Sequence, residues 1–293
     1  MASHSVLPKG SHMNKKITEH LRYGSPSAIP EIESVRTIDT LLSHQSCRAF
    51  LDRTINDDIK RLLFAAAQSA PSKSNLQQYS FIDVKSELIR TELIHMFPSI
   101  RWALEAPMLI FIIGDTHRTQ EINRARNQTF RWEQTDAFLN ATVDASLALA
   151  FMIAAAEGIG IGTCPISKVR ESSEAITNLL NLPRGAFPIC ACAFGYPQSE
   201  TPSISPRLPQ SVIVHHDTYQ PVDFSEIDKY DETYNRLAGP LKARYPEKFG
   251  MPNQSTWSDN VARQTAVLER PDFREMCESQ GLFGDQSQQP VGD

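Results

Sequence analysis

The stretch 136-DAFLNATVDASLALAFMIAAAEGIGIGTCPI-166 decides how the chain is read. Its first part is a run of small and apolar residues. From Asp136 to Glu157 it would make a helix about 33 Å long at 1.5 Å per residue. Asp136 can cap the start, because a carboxylate accepts from the orphan N–H groups of a first turn. Leu147 to Ala156 carries no charge and no polar face, so this half is expected to be buried nearly all round. That run is too short for a bilayer span, which takes about 20 apolar residues. Gly158 is expected to end the helix in a left-handed cap. The glycines Gly158, Gly160 and Gly162 do not make a dinucleotide cradle. They are spaced G-x-G-x-G and leave a helix, whereas the dinucleotide fingerprint leaves a strand and opens a helix.

Working outward, two continuously apolar segments, Pro107–Gly114 (PMLIFIIG) and Pro188–Gly195 (PICACAFG), predict strands buried on both faces. Phe81–Val84 predicts a third. Helical spacing of apolar residues appears over Ile32–His44, from Asn56 or Asp57 to Gln68, over Glu87–Met96 and over Glu171–Leu180. His117 to Gln134 reads as a polar helical or looped excursion. After Gly195 the prolines at 197, 202, 206 and 209 exclude regular helix. Val212-Ile213-Val214 is rich in β-formers. Phe224–Leu237, Thr256–Leu268 and Pro271–Gln280 predict amphipathic helices, with a surface loop over 239–255. Such a tail cannot build its own core; it must lie on the main body or on a partner subunit.

The 293 residues suffice for one large domain or two small ones. The first dozen, MASHSVLPKGSH, read as vector-derived. The remainder divides into a core over 13–198 and an extension over 199–293. A formal net charge of −5 gives no reason to expect nucleic acid or an anionic membrane as partner. No segment reads as long enough to span a bilayer, and no secretory signal opens the chain. Five cysteines without framework spacing fit a reducing cytosol. Cys190 and Cys192 share one face of a strand and read as buried structural thiols. There is no metal-ligand spacing, no P-loop and no G-x-S-x-G elbow, and His215-His216 reads as surface. Two routes remain: a binding protein, or a protein whose bound cofactor carries the chemistry.

Two polar stretches could serve either. The first is His44-Gln45-Ser46-Cys47-Arg48-Ala49-Phe50. On an extended segment Ser46 and Arg48 point the same way. A hydroxyl and a bidentate cation on one side suit a phosphate or a polar ring edge; the alternative is a helix end with a solvated arginine. The second is Ser72-Lys73-Ser74-Asn75-Leu76-Gln77, a loop dense in donors.

Taken with the central helix and its GIGIG exit, and with Leu180-Asn181-Leu182-Pro183 leading into PICACAFGYP, these stretches resemble the FMN-dependent nitroreductase family in order and spacing from about Leu41 to Pro197. In the tail, Pro206-Arg207-Leu208-Pro209, Val214-His215, Tyr219-Gln220-Pro221, Tyr230-Asp231-Glu232 and Trp257-Ser258-Asp259 are similar to the larger branch of that family. That branch holds the oxygen-insensitive NADPH nitroreductases and NADPH-flavin oxidoreductases.

The resemblance implies an α+β fold with a mostly antiparallel sheet surrounded by helices. It implies an intertwined homodimer with FMN at the interface and C-terminal arms embracing the partner. It assigns FMN contacts to His44, Gln45, Ser46, Cys47 and Arg48, to Ser72, Ser74 and Gln77, to Ser99, to Thr163, Cys164, Pro165 and Ile166 over the ring, and to Ser205 and Arg207 at the phosphate. Gln45 and Ser205 stand where the branch carries Arg and Lys, and Cys164-Pro165 where it often carries glycines. Arg263 is the candidate NADPH contact, with Lys242 and Arg244 nearby. The implied reaction is a ping-pong oxidoreduction. NAD(P)H passes a hydride to FMN N5, and a nitroaromatic, quinone, azo compound or flavin then takes it, with Arg48 in electrostatic support. A dedicated flavin reductase or a reductive dehalogenase of the same fold is the nearest alternative, and a non-catalytic flavin-binding protein the next.

Overall fold

A computed structural model describes residues 22, 24, 35–130, 134–199, 204–243, 245–252 and 254–283. The chain forms two compact units, one from residues 46–199 and 270–283 and the other from 22, 24, 35–45 and 204–269.

The first unit is built on a four-stranded sheet: β1 (Tyr79–Asp83), β2 (Met108–Asp115), β3 (Gly162–Ile166) and β4 (Ala186–Gly195). The strand order is β1-β2-β4-β3 and every pair is antiparallel. The two continuously apolar segments are the two central strands, as their composition requires. Alternate residues feed separate cores. Met108, Ile110, Ile112, Cys190, Cys192 and Phe194 face one side; Leu109, Phe111, Ile113, Ala191 and Ala193 face the other. Cys190 and Cys192 do share a face, and burial pushes the Cys190 thiol up to about 12, so it is inert. Helix Glu87–Met96 and helix Ser173–Leu179 cover the second side with Leu93 and Ile176.

The first side is covered by helix Asp57–Gln68 and by the central helix, Gln134–Gly158. Ala145, Ala148, Met152 and Ala156 of the central helix are fully buried. Small side chains let its axis approach the sheet closely. Helix Phe273–Ser279 packs Met276 and Cys277 near Ala141 and Phe187.

Four expectations for this helix need correction. The half from Leu147 to Ala156 is not buried all round, since Ala150 and Phe151 are exposed, Phe151 to 43%; Leu139 and Val143, 56% and 46% exposed, extend the exposed stripe at steps of four towards the start of the helix. Composition reports the absence of a polar face, not which partner covers it. The helix is also long and apolar enough to cross a membrane by length and composition, since the polar residues Thr142 and Asp144 do not break it. Finally, Gly158 remains helical, and Gly160 takes the left-handed conformation at φ +82. The reversal is closed by Gly160 N–H to Glu157 O and Ile161 N–H to Ala156 O, at 3.0 and 2.9 Å. Asp136 falls in the first turn rather than before it. The polar excursion contains helix His117–Ala125.

The second unit holds helices Arg36–Leu42, Phe224–Ala238 and Trp257–Thr265. The latter two are joined by Asp231, a buried carboxylate that accepts from Ser258 N–H at 2.9 Å and from the Ser258 hydroxyl. Tyr230 meets the Trp257 ring edge-on at 5.1 Å. The sequence motifs at 230–232 and 257–259 are thus two halves of one helix clamp. Val212-Ile213-Val214 is not a strand. Gln210–Ile213 is a single helical turn that Pro209 precedes with an extended backbone, and Ile213 and Val214 lie exposed and pair with no strand among the described residues, so their β-propensity goes unrewarded.

Candidate functional site

The first unit offers three groups of candidate residues. Residues 46–50 run as an extended arm along β3 and the end of β4. Ser46 bridges to Thr163 and Phe50 to Pro197, and Cys47 N–H donates to Thr163 O at 2.8 Å. Two glycines make this approach possible. A Cβ on Gly162 would lie 2.6 Å from Cys47 Cβ, and one on Gly195 would lie 2.8 Å from the Phe50 ring. Alternation along an extended segment would carry Ser46 and Arg48 to one side. Arg48 is exposed and makes no hydrogen bond or ion pair among the described residues. Burial pushes the Cys47 thiol up, with Arg48 opposing it weakly, so Cys47 is not a poised thiolate.

The donor-rich loop is pinned rather than loose. It contains a 3₁₀ turn, Lys73–Asn75, and places Ser74, Asn75 and Gln77 in left-handed backbone at φ 51, 57 and 51. Ser72 Oγ accepts from Gln77 N–H at 2.9 Å. Asp144 of the central helix holds both ends: Oδ1 accepts from Lys73 N–H at 2.9 Å and Oδ2 from Gln78 N–H at 3.1 Å. Asp144 is 1% exposed.

The third group is β3. Thr163 and Cys164 are buried and Pro165 is exposed. Pro165 sits in an edge strand, where a missing backbone N–H is tolerated. Thr163 Oγ1 donates to Glu157 Oε1 at 3.1 Å. Ser99 lies in the turn Pro98–Ile100, exposed, on the side of the sheet where Phe97 and Ile100 are buried.

The second unit carries His44, Gln45, Ser205 and Arg207. Arg207 is exposed; its Nη1 donates to Ser205 O and Pro206 O at 3.1 and 3.2 Å, which leaves its remaining guanidinium nitrogens without a partner among the described residues. Pro206 O also accepts from the Tyr230 hydroxyl. Arg263 is 9% exposed and donates to Gly250 O and Asn260 Oδ1 at 2.9 and 2.7 Å. Arg244 lies outside the described residues.

A family model described as the nitroreductase family matches residues 41–196, and one for the C-terminal domain of that family matches 205–285. The chain belongs to the nitroreductase family. It is 31% identical to an FMN reductase [NAD(P)H] of Bacillus subtilis over 84% of this chain and 97% of that one. It is 29% identical to an oxygen-insensitive NADPH nitroreductase of Salmonella typhimurium, over 84% of this chain and 97% of the relative. Among solved structures, an NADPH:FMN oxidoreductase from Vibrio harveyi, complexed with NAD+, superposes with a TM-score of 0.75 at 28% identity, covering 86% of this chain and all of that one. The antiparallel sheet flanked by helices is the fold of these neighbours.

Two residues escaped the sequence reading, Asp144 and Arg22. Asp144 stands in a helix whose polar residues are sparse and belongs to no motif. Arg22 lies in a segment with no motif and before either family match begins. Only contacts across long sequence separations disclose them.

Proposed function

We propose that this member of the nitroreductase family is an NAD(P)H-dependent FMN oxidoreductase acting on electron-poor small molecules such as nitroaromatics, quinones or flavins. The observation that carries the reading is Arg48: an exposed guanidinium with no hydrogen bond or ion pair among the described residues, on an arm fixed to β3 by the Cys47–Thr163 bond. A cation held in this way, with Ser46 on the same side, serves a ligand and not the fold. The relatives named above as FMN reductase and NADPH nitroreductase support the same cofactor and electron donor.

The donor chemistry fits FMN. Within the second unit, Arg207, with guanidinium nitrogens to spare among the described residues, and His44 suit a phosphate; within the first, Ser46 and Arg48 suit the polar edge of a ring. The Ser72–Gln77 loop offers hydroxyls and amides, and Thr163 to Ile166 offers a strand on which a flat ring can lie. Bound FMN supplies two-electron chemistry, taking a hydride from reduced nicotinamide and yielding it to an acceptor. The protein orients both reactants and places positive charge where the ring becomes electron-rich. No side-chain nucleophile is required, and the raised Cys47 thiol supplies none. Five free cysteines, four of them buried, accord with a reducing cytosolic setting.

The purified protein should be yellow, and anaerobic NADPH or NADH should bleach it. Initial rates with a nitroaromatic or quinone should give the parallel double-reciprocal lines of a ping-pong scheme. A flavin that nicotinamide does not bleach would leave a binding protein instead, and intersecting lines would exclude the ping-pong order.

The same reading includes a homodimer. Leu139, Val143 and Phe151 form an exposed apolar stripe on the longest helix, which a second copy would cover. Val143→Asp should convert the dimer to a monomer by light scattering, because a charge on that stripe cannot be buried unpaired. A dimer that survives the substitution places the interface elsewhere.

A further inference from the structure

Arg22 has a guanidinium that ties together two segments far apart in sequence. It is 5% exposed. Nη2 donates to Leu42 O and His44 O at 2.9 and 2.7 Å, and Nη1 reaches Ser205 O at 3.4 Å. The backbone closes the junction from the other direction, since Arg207 N–H donates to Arg22 O at 2.8 Å. Every residue in this knot belongs to the second unit. Its members His44 and Arg207 are the groups assigned above to the flavin phosphate.

A guanidinium suits this task for a physical reason. Its donors diverge in one rigid plane, so one side chain can hold carbonyls from separate segments at fixed spacing. Removing a charged group from water is costly unless its donors are satisfied, and here they meet carbonyl oxygens. An exposed lysine in this place would supply charge without fixing the segments.

We propose that Arg22 is a positioning residue that sets His44 and Arg207 as a cradle for a phosphate monoester and so makes the protein select FMN over riboflavin. The proposal rests on the FMN reading given above. Arg22 touches no reacting atom; it acts through the segments it holds. It also gives a role to the stretch ahead of residue 41, where the family match begins.

The test is flavin titration of the apoprotein by fluorescence quenching, with FMN and riboflavin in parallel. Riboflavin lacks the phosphate and is otherwise the same ring and chain. The wild-type protein should prefer FMN by about a hundredfold or more, as a charge-assisted phosphate cradle requires. Arg22→Met should weaken FMN by about tenfold or more and leave riboflavin within about twofold. Arg22→Lys should fall between, because one ammonium keeps the charge and cannot span three carbonyls. Equal loss of both flavins, or of neither, in Arg22→Met overturns the proposal, the first result marking a merely structural residue. Full FMN selectivity in Arg22→Lys overturns the role of the fork. A wild-type protein that binds FMN and riboflavin alike refutes the phosphate site itself, a failure distinct from that of Arg22.

Discussion

Asp144→Ala lowers stability by about 2–4 kcal/mol and weakens FMN binding by about tenfold or more. The carboxylate is almost fully buried on the central helix and accepts from Lys73 N–H and Gln78 N–H at opposite ends of one loop. Alanine leaves both donors without their acceptor. A buried donor stripped of its partner costs about 1–3 kcal/mol, and a donor with some access to water costs less. Gln78 is fully buried and bears the larger share; Lys73 is exposed and bears the smaller. The loop between them is costly to hold. Ser74, Asn75 and Gln77 occupy left-handed backbone, a region that non-glycine residues adopt only when their surroundings impose it. With Asp144 gone, the bonds within the loop and the Arg118 Nη1 bond to Gln77 O persist, but the tie of both loop ends to the central helix is lost. The loop then spreads over several conformers and the hydroxyls and amides offered to a flavin lose their geometry. Asp144→Asn should be milder, because one oxygen persists while the amide turns a donor toward one of the two N–H groups. Denaturant unfolding measures the first effect and flavin titration the second. A folded Asp144→Ala protein with unchanged FMN affinity would show that the loop is not part of the site.

The sheet was legible because its central strands carry their burial in plain composition. PMLIFIIG and PICACAFG have no polar position to hide, and the alternation of Ile110 and Phe111 between two cores follows from geometry alone. Helix Glu87–Met96 is read to its ends, with Ser86 capping Ile89 N–H and Pro98 lying beyond it. Local rules failed where tertiary contacts decide. Val212-Ile213-Val214 has β-formers but no strand to pair with, so propensity had nothing to act through. Gly160, not Gly158, reverses the chain, because the turn closes on Ala156 and Glu157 carbonyls and only then requires positive φ. Ser46 and Arg48, two apart in sequence, lie on a segment that bridges to β3 and to Pro197. Their attachment to β3 depends on the bare backbones of Gly162 and Gly195, a pairing no single motif contains. Asp144 and Arg22 were illegible for the same reason: each acts on backbone groups, and the partners of a backbone bond leave no mark in side-chain identity.

Arg48→Ala should lower FMN affinity and the rate of nicotinamide-driven flavin reduction together, by about 10- to 100-fold, while leaving the unfolding midpoint unchanged. The two halves of this prediction have one origin. Arg48 has no hydrogen bond or ion pair among the described residues, so its loss breaks nothing within the fold. An exposed residue without partners contributes little to stability. Its neighbours keep the arm in place, since Cys47 and Leu51 hold theirs through backbone N–H bonds to Thr163 O and Tyr196 O. The side chain is therefore removed from a scaffold that stays intact. What disappears is a planar, always-charged donor pair beside β3. A bidentate charge-assisted bond discriminates by roughly 1.4 kcal/mol for each tenfold in affinity. The interaction strengthens as negative charge builds on the polar edge of the ring, so the reduction rate should suffer at least as much as ground-state binding. Arg48→Lys keeps the charge and loses the fork; it should recover part of the rate and less of the affinity. Ser46→Ala, which removes one neutral donor from the same side, should cost less than either. Anaerobic stopped-flow mixing with NADPH and with NADH reads the rate, and titration of the apoprotein reads the affinity. If Arg48→Ala binds FMN and reduces it like the wild type, the exposed guanidinium is a surface charge and the flavin does not lie against this arm.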